Sequence, residues 1–529
     1  MEQGLFSPRK KSGLLAVLVS GLVLVVYLAT LAPDLTFEHT GADGGDLISA
    51  AWRLGVPHPP GYPTYTLLGW LFTRFPVGTI AYRINLLSAV CAAGVVFFLF
   101  LISSELQPED DPSLVIPAAT ATMLAFATLF WSQAVISEVY TLLALFAALL
   151  LWLLLRWRNG AANWYLWLVA FFTGLGLGNH LSLVFMLPAS VILLWSERRR
   201  WLRVGVILPL VAFVLLGLSI YAYLPLAASR EPPVNWGYIN SLERFWWVVS
   251  AKQYQPFVFG LAREDILEHL SSWSGIISSQ FGWWGLVIAA IGIVAWWVRD
   301  RFFLIFSMVW AVPLLVYAFF YNTADAYTIL LPLIILMALW WGEGARFLIL
   351  LGQESTARRA KSHSNKPLGA FWRWWPPFII LLLPMASMTT HWKEVDLSKE
   401  AAAPTYIAHI LESVPADSLV ITRRDKPTFG LWYEVYANQK RSDLAIVNAR
   451  MLAYLWYRDQ IRAQYPDIQV PRPSSDITSD ELVRDFINMN ILERPVYATD
   501  PVDAWEDWFE FIPMGEGPVY RVQMGENGD

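Results

Sequence analysis

Long apolar segments alternate with short polar segments from the N-terminus to about residue 390. A helix that crosses a bilayer needs about 20 mostly apolar residues. The pattern predicts about eleven such helices, at residues 13–32, 84–104, 113–130, 138–155, 163–178, 181–196, 204–225, 281–298, 302–320, 327–350 and 374–390. The predicted fold class is therefore an α-helical polytopic membrane protein, with residues 1–390 as its transmembrane domain.

After residue 390 the pattern changes to short amphipathic and short buried segments. Helical periodicity in AAAPTYIAHILESVP and MLAYLWYRDQIRAQY alternates with the strand-like runs DSLVITR, DLAIVNAR and RPVYATD. Helices that alternate with strands indicate an α/β arrangement with a partly parallel sheet. Residues 391–529 are predicted to form this second domain.

The distribution of lysine and arginine predicts the orientation in the membrane, because short cytoplasmic loops carry an excess of both residues. If the N-terminus is cytoplasmic, the inside segments hold more of them than the outside segments, and the cluster at residues 198–203 is an example. The first outer loop, residues 33–83, and the C-terminal α/β domain are then extracytoplasmic. The chain is expected in a cell membrane as a multi-pass protein.

Composition narrows the classes of function. Only 15% of the 529 residues are charged and 56% are hydrophobic, whereas a soluble domain carries about 25% charged residues. The single cysteine, Cys91, excludes an intrachain disulfide and a cysteine-based metal site. The net charge of −5 says little about partners; the lipid bilayer is one, and no nucleic acid is expected.

The first outer loop holds an unusual polar stretch, TGADGGDLISAAWRLGVPHPPGYPTY. Two glycines permit a tight turn that projects Asp43 and Asp46. Asp46 is placed to N-cap a short helix, LISAAWRL, which Gly55 would end. Pro63 can begin a second short helix, TYTLLGWLFTRF. Asp46 as a helix cap is a full alternative to Asp46 in chemistry, whereas a carboxylate at Asp43, in a glycine turn beside lipid, has no obvious packing role.

Other polar and aromatic residues fall on the same predicted side of the membrane: His58, Arg83, Glu138, His180, Arg230, Asn235, Trp236, Lys252 and Asp325. Ionisable residues near membrane depth are functional candidates. Several have ordinary alternatives: bracing of the loop for His58, solvation at a helix end for Glu138, a structural turn for His180, a surface charge for Lys252 and a helix cap for Asp325. Their shared face favours an active site open to the outer side.

The stretch GADGGDLISAAWRLGVPHPPGYPTYTLLG, followed by RINLLSAV, resembles the signature of a domain-of-unknown-function family of multi-pass membrane proteins that includes a transmembrane protein O-mannosyltransferase. SEVYTL, GLGLGNHLSL, YLPLAASREPPVNWG and KPTFGLWYEVY are similar to later segments of that family. The resemblance implies the GT-C architecture and a sugar donor carried on polyprenyl phosphate, with mannose as the suggested sugar. The family's acidic pair would correspond to Asp43 and Asp46, although relatives often have glutamate at the second position.

This resemblance and the residues together suggest a glycosyl transfer. Attack by an acceptor hydroxyl, from a protein or a glycan, needs a base, and the Asp43 carboxylate is the candidate for a single inverting displacement. Positive charge must meet the departing phosphate, and the candidates are Arg83, Lys252, Arg230 and His180. Asp46, Glu138 and Asp325 are candidates to orient sugar or acceptor hydroxyls. No cofactor is evident; a divalent metal held by carboxylates stays open, with no readable ligand set.

The alternative function is a transporter or flippase for lipid-linked sugars or other amphiphiles. A transporter predicts repeated halves and broken helices with polar groups at mid-membrane. The sequence instead concentrates its polar residues at one surface, which favours the enzyme.

Overall fold

The structure is a computed structural model that describes residues 8–108, 113–362, 366–472, 478–515 and 517–525. The first part of the chain is helical. Its α-helices are α1 (Pro8–Thr30), α2 (Gly44–Arg53), α3 (Pro63–Phe72), α4 (Ile80–Glu105), α5 (Val115–Ala125), α6 (Thr128–Ala134), α7 (Tyr140–Arg158), α8 (Trp164–Leu177), α9 (Met186–Leu193), α10 (Arg198–Trp201), α11 (Val204–Leu218), α12 (Tyr223–Ala228), α13 (Leu242–Val249), α14 (Ile266–Arg299), α15 (Arg301–Phe320), α16 (Leu331–Ser362) and α17 (Lys366–Val395).

Among the described residues, seven helices are long and apolar enough to cross a membrane, and nine if each of two bent helix pairs is one span. Every predicted segment overlaps one of the helices or bent pairs, but the total number of crossings stays a prediction. The bend of 69° between α5 and α6 frees the carbonyl of Phe126. That carbonyl accepts a hydrogen bond from the hydroxyl of Ser387 at 2.8 Å, which satisfies a backbone group that lipid cannot.

The helix surfaces divide into a packed interior and an apolar exterior. One large cluster of buried side chains joins α1, α4, α5, α7 and α16, with Trp131, Trp157 and Trp341 among its fully buried members. Leu14, Val17, Leu18 and Leu22 of α1 are instead exposed, as are Val204, Leu208 and Leu215 of α11. Such extended apolar surfaces indicate contact with lipid.

The C-terminal part contains a five-stranded sheet in the order β2-β1-β3-β5-β4. β1 pairs in parallel with β2 and β3, whereas β5 is antiparallel to β3 and β4. The elements are α18 (Ala402–Ser413), β1 (Leu419–Thr422), α19 (Asp425–Trp432), β2 (Ala445–Asn448), α20 (Leu455–Gln464), α21 (Ser479–Asn490), β3 (Val496–Ala498), α22 (Asp503–Glu506), β4 (Phe509–Pro513) and β5 (Tyr520–Met524). The predicted partly parallel sheet is confirmed. α17 continues to Val395, past the expected boundary at residue 390, and that boundary stays a prediction.

The C-terminal domain packs on the first outer loop and on a later polar segment, residues 230–244. The hydroxyl of Tyr433 donates to the carboxylate of Asp34 at 2.7 Å, and Arg244 pairs with Asp459 at 2.6 Å. The side-chain amide of Gln460 donates to the carbonyl of Pro233 at 2.8 Å. These contacts hold the C-terminal domain against both segments.

Candidate active site

Asp43 and Asp46 stand at the beginning of α2. This helix begins at Gly44, earlier than predicted, so Asp46 lies inside its first turn. The prediction that Asp46 caps the helix is wrong, and so is the prediction that Gly55 ends it, since Leu54 adopts the left-handed conformation at φ 53°. The main chain of Gly55 and Val56 instead lies beside residue 234, where the Val56 N–H donates to the Val234 carbonyl at 2.9 Å.

The Asp46 carboxylate is bound on both oxygens. Its Oδ2 accepts from the main-chain N–H of His58 at 3.0 Å and from the ring Nδ1–H of His58 at 2.7 Å. Its Oδ1 accepts from the indole N–H of Trp236 at 3.0 Å. The side chain is completely buried, so Asp46 stabilises the loop that carries His58 from inside the protein.

The opposite nitrogen of His58 faces Asp43. The distance from Nε2 of His58 to Oδ2 of Asp43 is 3.6 Å, and 34% of the Asp43 side chain is exposed. The rings of Tyr62, Trp236 and Tyr254 surround the imidazole edge-on, with centroids 5.0, 6.2 and 6.4 Å away. His58 is therefore enclosed between two carboxylates and an aromatic wall, and Asp43 is the carboxylate that opens outward.

Charge in this enclosure changes both protonation equilibria. Desolvation raises the pKa of Asp43 to about 7; the charge of His58 lowers that pKa, whereas Asp425, Asp325 and Asp46 raise it. For His58, burial lowers the pKa, but Asp43, Asp46 and Glu138 outweigh burial and raise it to about 9. The arrangement thus favours an imidazolium next to a carboxylate that accepts a proton near neutral pH.

A second polar group lies on the other side of Asp43. The hydroxyl of Tyr140 donates to the Asp325 carboxylate at 3.0 Å, and the Tyr140 ring is 5.7 Å from the ring of His180. Asp325 precedes a short 3-10 helix without capping it through its side chain, so the cap interpretation is wrong. Glu138 is buried and its Oε2 accepts from the N–H of Val139 at 3.2 Å, which excludes the solvated alternative.

His180 and Asn235 support turns around this group. Nδ1 of His180 accepts from the main-chain N–H of Ser182 at 3.2 Å, which agrees with a structural turn. The side-chain amide of Asn235 donates to the carbonyl of Ala228 at 3.3 Å, and its buried Oδ1 has no hydrogen-bond partner among the described residues. Both residues thus brace the loops that surround the cleft.

Arg83, Arg230 and Lys252, three of the four candidates to meet the departing phosphate, have different surroundings. The guanidinium of Arg83 donates to the carbonyls of Thr73, Val77 and Gly78, so it holds the turn before α4. Arg230 is exposed. Lys252 is also exposed and begins the 3-10 helix Lys252–Phe257, whose Tyr254 borders His58.

The structure adds a carboxylate that the sequence did not assign to this site. Asp425 lies in the first turn of α19, in the C-terminal domain, and its charge acts on both Asp43 and His58. Burial raises the pKa of Asp425, while His58 and Arg450 lower it. The sequence feature that could have indicated Asp425 is the segment KPTFGLWYEVY, which follows this residue directly.

The described residues contain no group of three or more His, Cys, Asp or Glu side chains arranged to hold a metal ion. The contacts that the structure gives for Asp46, Asp325 and Asp43 include hydrogen bonds to His58 and Tyr140 and an ion pair with His58.

Comparison with known protein families gives two matches. Residues 43–203 match the model of the protein O-mannosyl-transferase TMEM260 N-terminal domain, and residues 403–512 match TMEM260-associated domain 2. The first match begins at Asp43, and the second includes Asp425. Asp43, His58 and Asp425 therefore lie within segments typical of one family, whereas Trp236, Tyr254 and Asp325 lie outside both segments.

Curated relatives extend over most of the chain. Protein O-mannosyl-transferase TMEM260 of Mus musculus is 27% identical, with 94% of this chain and 73% of the relative covered. Protein O-mannosyl-transferase tmem260 of Dictyostelium discoideum is 22% identical, with 92% of this chain covered. The chain spans 63% of the length of that second relative.

A solved structure shares the fold. ArnT from Cupriavidus metallidurans, bound to undecaprenyl phosphate, superimposes with a TM-score of 0.52 at 11% identity, with 96% of this chain and 97% of ArnT covered. The apo state of ArnT gives a TM-score of 0.50 at 12% identity. The predicted fold class and the family resemblance are confirmed: the chain has the fold of ArnT, and its similarity to the TMEM260 protein O-mannosyl-transferases supports a multi-pass membrane glycosyltransferase.

Proposed function

We propose that this protein transfers mannose from a polyprenyl-phosphate carrier to an acceptor hydroxyl on the extracytoplasmic face, with inversion at the anomeric carbon. The relatives are protein O-mannosyl-transferases, which supports mannose as the sugar and a protein as the acceptor. The undecaprenyl phosphate bound to ArnT supports a lipid-phosphate carrier. The orientation rests on the lysine and arginine bias, with the N-terminus cytoplasmic and the C-terminal domain outside.

Asp43 is the proposed base. The observation that carries the proposal is its partly exposed carboxylate, which lies near the buried Asp46, whose two oxygens both accept hydrogen bonds. The acceptor hydroxyl loses its proton to Asp43 as its oxygen bonds to the anomeric carbon. The bond from that carbon to the phosphate oxygen breaks, and the oxygen keeps the electron pair. One displacement of this kind inverts the anomeric configuration, and it needs a carboxylate that is ionised when the acceptor arrives.

The donor phosphate needs cationic or hydrogen-bond donors where it departs. Lys252 is the preferred candidate because it is exposed in the same short helix as Tyr254, which borders His58. Arg230 is a second exposed candidate, whereas the guanidinium of Arg83 is already committed to three backbone carbonyls. The apolar tail of the donor would lie between lipid-facing helices.

Sugar hydroxyls are the proposed partners of the second polar group. Asp325 holds its carboxylate against Tyr140 at 3.0 Å, and Glu138 is buried nearby. Carboxylates accept hydrogen bonds from hydroxyl groups strongly because they are charged. Asp46 is proposed to act indirectly, since its two oxygens are already occupied by His58 and Trp236.

The test uses the purified full-length protein with undecaprenyl-phosphate-linked radiolabelled mannose and a pool of serine- and threonine-containing peptides. Release of undecaprenyl phosphate together with mannosylated peptide is expected, with the product anomer opposite to that of the donor. Asp43→Asn should lower the rate about 10²- to 10⁴-fold, the range for loss of a general base. Asp265→Asn is the matched control, because Asp265 is exposed and its side chain makes no capping hydrogen bond.

Three results would contradict parts of the proposal. Transfer by Asp43→Asn at the parental rate would overturn the base assignment. Retention of the anomeric configuration would exclude the single displacement. Movement of the lipid-linked sugar across proteoliposomes without cleavage of the sugar–phosphate bond would support the transporter instead.

A further inference from the structure

Hydrogen bonds join Asp46 to His58, and the Asp46 side chain is completely buried. Two hydrogen bonds join them, one from the His58 main chain and one from its ring, and the indole of Trp236 holds the second oxygen of Asp46. The His58 main chain and ring are thus fixed at the same carboxylate, which leaves the imidazole little freedom to turn. Because both hydrogen bonds from His58 reach the same oxygen, Oδ2, the carboxylate orients the ring and also favours its charged form.

The fixed imidazole has one nitrogen left, and it points at Asp43. The separation of 3.6 Å between Nε2 and Oδ2 is an ion-pair distance, slightly longer than a hydrogen bond. Catalytic hydrogen bonds are often long before substrate binds and shorten in the complex. Trp236 therefore holds the Asp46 carboxylate, Asp46 holds the His58 ring, and the ring faces the Asp43 carboxylate.

We propose that His58 is a positioning residue, an imidazolium anchored by Asp46 that orients the Asp43 carboxylate and keeps it in its ionised, proton-accepting form. This proposal rests on the proposed function, because it assigns a role to His58 relative to Asp43 as the base. The proton of the acceptor goes to Asp43, and His58 keeps both of its ring protons throughout. Asp46 takes no part in bond making; its negative charge keeps His58 positive.

Other charged groups around His58 also influence how strongly its protonated form is favoured. Glu138, before α7, raises the pKa of His58, and Asp425 of α19 and His180 also interact with His58 electrostatically. The remaining neighbours are the neutral rings of Tyr62, Tyr254 and Trp236. Carboxylates dominate this set, so the structure favours a positive charge on His58. The simpler alternative is that His58 only braces the HPPGYP loop.

The first test measures the protonation of His58 without using turnover. Hydrogen–deuterium exchange at the imidazole C2 position, read by mass spectrometry over a pH series, gives a midpoint for each histidine in the full-length protein. The His58 midpoint should lie near 9, well above the ordinary value of about 6.5. Asp46→Asn should lower it by at least about one unit, since a close opposite charge shifts a pKa by 1–3 units. His409, exposed on α18, is the internal reference in the same digest.

The second test measures how transfer depends on pH, with undecaprenyl-phosphate-linked mannose as the donor. Loss of the His58 charge in His58→Gln should move the acidic limb of kcat/KM upward by about one unit or more. The variant should lose activity about tenfold at a pH on that limb and recover it at higher pH. His58→Lys keeps a positive charge and should return the limb toward its parental position. Size-exclusion chromatography and thermal unfolding are to be used to check that each variant is folded.

The results separate this proposal from the proposed function. A parental His58 midpoint at or below about 6.5 would overturn the positioning role, even if Asp43→Asn abolishes transfer. If kcat/KM of His58→Gln is lower at every pH and its acidic limb does not move, the bracing alternative is supported. If the parental protein releases no undecaprenyl phosphate, the proposed function fails, and the exchange experiment still decides the charge of His58.

Discussion

Gly45 of α2 lies directly against the main-chain carbonyl of Phe429 in α19, so close that a β-carbon at position 45 would collide with it. The neighbouring residue, Gly44, has ordinary van der Waals space around the same added atom, with Leu35 at 3.6 Å. The two glycines of the GADGGD stretch therefore have different roles. Gly45 is one point at which the C-terminal domain rests on the first outer loop.

Gly45→Ala should weaken this contact, whereas Gly44→Ala should not. An added methyl group at a tight backbone contact costs typically about 1–3 kcal/mol, and the resulting shift would move α2 relative to Asp43. Gly44 has helical φ and ψ of −52° and −42°, which alanine adopts readily. Thermal unfolding and transfer rate, measured for both variants, check the prediction. Equal loss in both variants would show that the glycines matter only for turn flexibility.

The charges in the cleft predict a bell-shaped dependence of kcat/KM on pH. Asp43 accepts a proton only when ionised, so activity should rise as pH increases through its pKa of about 7. His58 supports Asp43 only when protonated, so activity should fall as pH increases through its pKa of about 9. Because Asp43 and His58 interact, the apparent pKa values of the two limbs describe the pair and not either residue alone. A pH–rate profile of the parental protein tests this, and activity that falls steadily above pH 7 would contradict it.

Sequence periodicity predicted the long apolar helices, α18 and β1 to β3, because these patterns are local. It also placed Asp43, Asp46 and His58 in one loop. It could not predict that the Asp46 carboxylate turns toward His58 and Trp236 instead of capping α2, since that choice depends on a segment remote in sequence. Asp425 was not assigned to the site for the same reason: its approach to Asp43 results from domain packing.

Lys252→Ala and Arg83→Ala should have different effects, although both remove one positive charge. Lys252 is exposed near Tyr254, so its loss should raise KM for the lipid-linked donor several-fold, as expected for a phosphate contact. Arg83 binds three backbone carbonyls, so its loss should lower the unfolding temperature first. Donor titrations and thermal unfolding of both variants distinguish the roles. Arg263→Ala, which removes the positive charge of an exposed arginine, is the control.

Asp425→Asn tests whether the C-terminal domain takes part in the reaction. Asp425 begins α19, and its charge reaches Asp43 and His58 across the domain boundary. We expect KM for the peptide acceptor to rise several-fold while KM for the donor stays close to parental, because α19 of the C-terminal domain packs on α2 next to Asp43. Removing this negative charge also lowers the pKa of Asp43, since Asp425 raises it, so the acidic limb of the pH profile should move to lower pH.

The control for Asp425→Asn is Glu412→Gln, an exposed carboxylate on α18 of the same domain. It removes an equal charge from the domain surface, so both KM values and the acidic limb should stay at parental values. If Glu412→Gln shifts the limb as much as Asp425→Asn does, the effect comes from the overall charge of the domain. If Asp425→Asn changes neither the acceptor KM nor the limb, the C-terminal domain supports the loop mechanically, through Gly45 and Phe429, without contributing a side chain to the cleft.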